Sequence, residues 1–409
     1  MLTTDMSLVY LDRYRNVGTR SYSAHADYSE VAEQYRPDSH FPEFEVPAFL
    51  LPRDDVRVYT AQPADDLLNY YLPGDAALFC VHPQVLGGDG EERCLDVVRG
   101  HGRPQPPIVV SPSSSSRTVF VNNDLLATPH ALKLHLPLRV SRYTRRMRDE
   151  VVEQAVELSG ELERGVGRLD EDFAFMREVI GVTHRVADHE TERGEAWGYV
   201  VREMRPFPEV AGERMLVPGF ALYGGDFFDP SKEPLLWDLV QGRDPTRFVL
   251  ERILLPVVRH WCACYREFGF MLEPHGQNVL FELDEQGLIR RAVHRDLSVG
   301  IDMRRRRDLG LEDGRLNDYN RMEDGAFASM TYDMFVGNHF FSPLIRLLET
   351  RGAVDRDELS GPCREEFARC FPDYAEYLPD TVWYFSETRD EYGKPLYEDT
   401  GRKPEWRPA

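Results

Sequence analysis

The stretch EPHGQNVLFELDEQGLIRRAVHRD, Glu273 to Asp296, decides how the chain is read. Two apolar runs, Val279 to Leu283 and Leu288 to Val293, flank Asp284-Glu285-Gln286-Gly287, and this order predicts a β-hairpin. A tight turn at Glu285 and Gln286 sets Asp284 opposite Gly287, and the same register carried outward sets His275 opposite Asp296. Glu273, His275, Asn278 and Asp296 then gather at the open end of the hairpin. Oxygen donors from Glu, Asn and Asp are what Mg²⁺ prefers beside phosphate oxygens. His275 is placed to contact a phosphate or to donate a proton. The plainer alternative is a polar hairpin base that satisfies only its own hydrogen bonds.

Upstream, Ser113-Ser114-Ser115-Ser116-Arg117-Thr118 is set between two β-rich pieces within Ile108 to Val121. Small hydroxyl residues allow close approach of a phosphate, and the Arg117 fork matches its oxygens. A serine-rich linker has the same composition, but apolar strands on both sides leave no room for a tether. Leu132, Leu134, Leu136 and Leu138 alternate, which predicts one strand with Lys133 and His135 on its opposite face. Thr144 to Glu163 reads as an amphipathic helix with Arg145 near its start. Phe248 to Phe268 is the strongest helical pattern, with Pro256 expected to kink or split it. Residues 394–409 read as a polar, frayed tail.

The 409 residues suffice for two domains, and 42% hydrophobic residues fit a folded protein. Lys plus Arg number 49 against 70 Asp plus Glu, a net charge of −21 that disfavours nucleic acid and anionic membranes as partners. The six cysteines form no CxxC pair, which predicts buried free thiols in a reducing cytoplasm. The N-terminus lacks a signal-peptide layout, and no apolar run is long enough to span a bilayer. His294-Arg295-Asp296-Leu297 imitates a kinase catalytic loop, but Ile301 stands where that loop needs Asn. His184 and His189 read as surface histidines.

Together these motifs resemble the siderophore synthetases that act independently of nonribosomal peptide synthetases (NIS synthetases), the aerobactin-synthetase-like ligases. His82-Pro83-Gln84 resembles that family's HPWQ, Ser114-Ser115-Ser116-Arg117-Thr118 its SSxRT, and Lys133-Leu134 through Arg145 its KLxLxxxIT…R. Arg202-Glu203 follows in a strand, then Glu273-Pro274-His275-Gly276-Gln277-Asn278 resembles EAHGQN, and Arg295-Asp296 completes the series. The resemblance implies an α+β fold, the cupped-hand fingers and palm, with ATP between them. It implies a fingers-like domain over residues 1–190 and a palm-like domain over 191–409. The thumb and the HPxHPxxK motif are expected to be missing, with Ala24-His25-Ala26-Asp27 a remnant at best.

The same resemblance implies ATP with Mg²⁺, and a carboxylate joined to an amine or alcohol through an acyl-adenylate in siderophore or other specialised-metabolite biosynthesis. Ser114, Ser115, Ser116, Arg117, Thr118, Lys133, Arg145, His275 and Gln277 would bind ATP. His275, Arg117 and Lys133 would be catalytic, and Glu273, Asn278 and Asp296 would hold the metal. A homodimer is compatible with it. Two alternatives remain open, a small-molecule phosphotransferase of aminoglycoside-kinase-like type and a non-catalytic ATP-binding homologue. The first lacks a second carboxylate near the histidine.

Overall fold

The apolar runs become strands of one large sheet in a computed structural model. It describes residues 7–20, 28–87, 98–122, 125–141, 143–185, 197–212, 214–311, 321–352, 354–389 and 395–409. The sheet has 11 strands. In chain order they are β1 (Phe44–Pro52), β2 (Val56–Thr60), β3 (Ala76–Cys80), β4 (Arg103–Pro112), β5 (Thr118–Val121) and β6 (His130–Leu134). There follow β7 (Phe173–His184), β8 (Gly198–Phe207), β9 (Met215–Pro218), β10 (Val279–Leu283) and β11 (Ile289–His294). Across the sheet the order is β9-β10-β11-β7-β8-β6-β5-β4-β1-β3, with β2 also paired to β7. All pairings are antiparallel except β11 with β7.

Strand β7 is central because it is apolar on both faces. Eleven of its twelve residues are buried, the near-continuous pattern of a strand covered on two sides. Helix Asp149–Gly165 packs on it so closely that a Cβ on Gly181 would lie 2.5 Å from the Val152 Cγ1. The sheet takes strands from both sides of the expected boundary at 190, since β7 precedes it and its neighbour β8 follows. The apolar packing among the described residues nevertheless gathers mainly in two cores, beside two small clusters. One core is built from residues between Val31 and Val201, and the other gathers around helix Leu255–Phe268.

Several expectations change in detail. The hairpin turn is one residue longer than expected. Gly287 N–H donates to Asp284 C=O, Gly287 takes φ +73°, and Asp284 N–H donates to Leu288 C=O. With a further irregularity at Glu282 and Leu283, the register becomes Val279 opposite His294. Strand pairing ends there, so His275 and Asp296 are not paired but lie in the two loops beyond. The leucine-alternating segment breaks at His135, and Leu136–Val140 pairs instead with Tyr143–Arg145. Arg145 therefore ends a short strand, and the helix begins at Asp149. His184 is buried, because β7 carries it against Phe79 rather than to the surface. His189 and Ala24 to Asp27 lie outside the described residues.

Pro256 does not split its helix. A turn of π-helix, Leu250–Leu254, precedes it, and the proline sits in the first turn of the α-helical part. Nor is the tail frayed. Pro395–Asp399 pairs with Trp383–Arg389, Trp406 is 2% exposed, and Arg407 is fully buried against Asp333. Composition misled here because a single buried Trp-Arg pair outweighs a polar average. Cys80, Cys262, Cys264 and Cys363 are buried free thiols, as expected, and burial pushes each thiol up, whereas the free thiol Cys370 is only partly buried and Cys94 lies outside the described residues. No helix among the described residues is long and apolar enough to cross a membrane.

The tail yields a prediction. Arg407→Ala leaves the Asp333 carboxylate buried without its cation, which costs about 3–5 kcal/mol. Thermal unfolding of that variant is expected to shift down by many degrees, whereas Arg402→Ala at an exposed position is expected to shift it little. Equal midpoints for the two variants would contradict an anchored tail.

Candidate active site

The serine loop is a tight turn whose own atoms hold it. Ser116 stands at φ +63°, Ser116 N–H donates to Ser113 C=O, and Ser113 N–H donates to Thr118 C=O. Ser115 N–H donates to Ser113 Oγ at 3.2 Å, and Thr118 N–H to Ser115 Oγ at 3.0 Å. Ser114 N–H donates outside the loop, to Asp12 Oδ1 at 2.7 Å. These amides are thus engaged before any ligand arrives. The donors this loop still offers to the cavity are side chains, Arg117 foremost among them. Its guanidinium is drawn down to about 10 by burial, with Arg145 beside it adding to the effect against the pull of Asp296.

Lys133 is not on a solvated face. It is 1% exposed, and its ammonium donates to Asp296 Oδ1 and to Ser298 Oγ. Arg202 approaches the same Asp296 oxygen at 4.0 Å while donating to Glu178 at 2.6 Å. Glu178 also accepts Leu297 N–H at 3.2 Å. Two cations and two carboxylates therefore form one network, buried except at Asp296, whose side chain is 31% exposed. Burial alone would push the Asp296 carboxyl up, but Lys133, Arg202 and Arg117 outweigh it and hold the group far below the usual range. Both cations approach Oδ1, which leaves Oδ2 for a ligand. Asp296 holds φ +70°, a left-handed backbone that costs a non-glycine residue on the order of 1 kcal/mol.

The loop before β10 faces this network. His275 Nδ1 accepts Gln277 N–H at 3.3 Å, so the neutral ring carries its proton on Nε2. Burial, with His339 nearby, draws that imidazole down to about 3, so it is neutral at pH 7 and donates a hydrogen bond rather than a proton. Burial beside Asp296 pushes Glu273 up to about 8. Gln277 Nε2 donates to Ser114 Oγ at 2.9 Å, and Arg295 Nε to Gln277 C=O at 2.7 Å, so the two loops touch.

Between them lies a cavity of about 390 Å³. Ser114, Ser115, Arg117, Thr118, Arg145, Glu273, His275, Gln277, Asn278 and Asp296 all line it. Ser116 and Lys133 do not. Ser116 is turned inward by its left-handed backbone, and Lys133 lies beneath Asp296. Glu273, Asn278 and Asp296 offer the hard oxygen donors that Mg²⁺ takes, and the repulsion between Glu273 and Asp296 is what a cation relieves. The donor set fits the metal.

The sequence missed an aromatic wall and a third side. Phe335 and His339 project from π-helix Met330–Phe341, their rings 5.6 Å apart, with His275 edge-on to Phe335 and Tyr384 edge-on to His339. These rings offer flat apolar surface to a nucleobase or an acyl group. Their spacing of four residues was the available signal. Asn16, Thr19 and Arg20 close another side, far away in sequence and without any motif.

Residues 97–223 match the IucA / IucC family, and residues 248–397 match a family described as ferric iron reductase FhuF-like transporter. No curated protein matches the chain. Among solved structures, the petrobactin biosynthesis protein AsbB from Bacillus anthracis str. Sterne is similar at 15% identity and TM-score 0.70. The match covers 91% of this chain and 69% of AsbB. ATP-bound aerobactin synthetase IucA from a hypervirulent pathotype of Klebsiella pneumoniae is similar at 14% identity and TM-score 0.67, over 87% of this chain and 69% of IucA. The fold is that of the siderophore synthetases. The chain is NIS-synthetase-like, in fold along most of its length and in sequence over residues 97–223.

The raised Glu273 carboxyl sets a pH dependence. Its folded-state value of about 8 lies above the ordinary 4.5, so the folded chain keeps this proton longer than the unfolded chain does. The stabilising contribution of the protonated group is complete below pH 4.5 and is lost as pH rises toward 8. Glu273→Gln is expected to flatten the urea midpoint across that window relative to the parent. Parallel curves for the two proteins would contradict the buried, protonated carboxyl.

Proposed function

We propose that the protein is an ATP-dependent ligase that activates a carboxylate as an acyl-adenylate and passes the acyl group to an amine or alcohol. In this reading residues 1–190 serve as the fingers-like part and 191–409 as the palm-like part. The observation that carries it is the single cavity in which guanidinium groups, the serine loop and three oxygen donors face one another. The similarity to ATP-bound IucA and to petrobactin and aerobactin enzymes points the same way, toward siderophore or related biosynthesis. The FhuF-like match concerns the half that carries the hairpin and aromatic wall, and the described cysteines there are free thiols in helices.

Arg117 and Arg145, with the hydroxyls of Ser115 and Thr118, bind phosphate oxygens of ATP. Asp296, Asn278 and Glu273 would hold Mg²⁺, which supplies neutralisation of the phosphate charge when bound. A carboxylate oxygen of the acid attacks the α-phosphorus, the bond to the bridging oxygen breaks, and pyrophosphate leaves. The neutral His275 donates its Nε2–H to an oxygen on which charge grows. The amine or alcohol then attacks the acyl carbon, AMP leaves, and the nucleophile's proton passes to solvent. Lys133 acts from beneath, fixing Asp296 rather than touching ATP.

Incubation with MgATP, a carboxylate panel and hydroxylamine is expected to release pyrophosphate together with a hydroxamate. ADP would instead mean phosphotransfer, and no turnover with any acid would mean a binding role. Asp296→Asn is expected to lower the unfolding midpoint, since Lys133 loses its anion, and to lose about 100-fold or more in turnover per folded molecule, the scale of a lost transition-state charge contact. His275→Ala should lower kcat more than it raises KM. Turnover at the parent rate by either variant contradicts its assigned role.

A further inference from the structure

The N-terminal helix lies outside both matched family segments, yet it is wired into the site. Helix Leu8–Tyr14 carries Asp12, which is fully buried and 102 residues away in sequence from the loop it touches. One carboxylate oxygen accepts Ser114 N–H at 2.7 Å, and the other accepts the Arg295 guanidinium at 2.6 Å. Arg295 in turn holds Gln277 C=O. Asp12 therefore joins the serine loop to the loop after β11 through two charge-assisted bonds, and Arg295 carries the link on to the loop before β10. The chain then leaves the helix along a fixed track. Asn16 caps the carbonyls of Asp12 and Arg13, Val17 pairs with Gly225, and a Cβ on Gly224 would meet the Arg15 carbonyl at 2.5 Å. That track ends at Arg20, which lines the cavity. Among the described residues Arg20 makes one hydrogen bond, from Nη2 to Ser114 C=O at 3.0 Å.

All three polar atoms of Ser114 are thus held from outside its loop, N–H by Asp12, C=O by Arg20 and Oγ by Gln277. A guanidinium spending one N–H on a carbonyl keeps four more donors in its fork. On a cavity wall, with a carboxylate pairing none of them among the described residues, those donors face whatever anion the cavity takes. We propose that Leu8–Arg20 forms a third wall of the site, with Arg20 binding an anionic oxygen of the ligand and Asp12 holding that wall in register with the serine loop. The oxygen belongs either to a phosphate of the nucleotide or to a carboxylate of the acid. The inference rests on the ligase reading only for the second source.

The experiment has two arms. Calorimetry measures inorganic tripolyphosphate and citrate binding to the full chain and to Arg20→Ala and Arg20→Lys. Loss of a charge-assisted contact weakens one probe by about tenfold or more in Arg20→Ala, with partial recovery in Arg20→Lys. Loss for tripolyphosphate assigns the contact to the nucleotide, and loss for citrate assigns it to the acid. Changes below about twofold for both probes overturn the assignment of Arg20 while leaving the pyrophosphate result standing. Pyrophosphate replaced by ADP, with Arg20→Ala still defective for tripolyphosphate, sinks the ligase reading and keeps Arg20. For Asp12, amide exchange over residues 113–118 is expected to quicken in Asp12→Asn and in Gly224→Ala, which displaces the track without removing a charge. Exchange unchanged in both overturns the positioning role.

Discussion

The Lys133–Asp296 contact is the interaction on which the rest depends. It spans 163 residues of sequence and sits where strand β6 and the loop after β11 come together. Neither group is stable there alone. A buried ammonium or carboxylate without its partner costs several kcal/mol, and removing one member of such a pair typically costs about 3–5 kcal/mol. Arg202 and Glu178, themselves a buried pair from adjacent strands β8 and β7, surround it and complete the charge balance. The left-handed backbone at Asp296 persists because this network holds it. The Asp296 carboxylate is thereby preorganised: its charge and one oxygen are committed to the protein, while the residue lines the cavity.

A second constraint concerns anion recognition. In a phosphate loop built on backbone amides, the free N–H groups point at the ligand. Here the amides of Ser113, Ser114, Ser115, Ser116 and Thr118 are spent on carbonyl, hydroxyl and carboxylate oxygens. The loop's amides are committed within the protein, and guanidinium groups from separate parts of the chain line the cavity beside it. This is how a chain of net charge −21 presents a locally positive cleft. The excess acid lies elsewhere, and the cations are gathered by folding rather than by sequence proximity.

Local patterns carried much of this in the sequence. The hairpin, the serine turn and the strong helix were legible because periodicity and turn residues act over a few positions. The residues now lining the cavity were largely legible too, since the short motifs that hold them are contiguous. What was not legible has one physical cause, long-range burial. Lys133 read as a ligand-binding cation, and its pairing with Asp296 went unseen, because that partner lies 163 residues along the chain. The tail read as frayed because nothing local says that Arg407 meets Asp333. Arg20 and Asp12 carried no signal, and the four-residue spacing of Phe335 and His339 went unread. The turn length at Gly287 shifted the register, yet both loops still lead into one cavity.

The central claim is that the serine loop and the two hairpin-end loops form a single nucleotide site. Hydrogen–deuterium exchange with and without a non-hydrolysable magnesium ATP analogue tests it most directly. The account predicts protection at residues 113–118 and 273–298 together, with little change in strand β3 at the far edge of the sheet. Protection confined to the hairpin tip around residues 282–291, or none at saturating analogue, would contradict it.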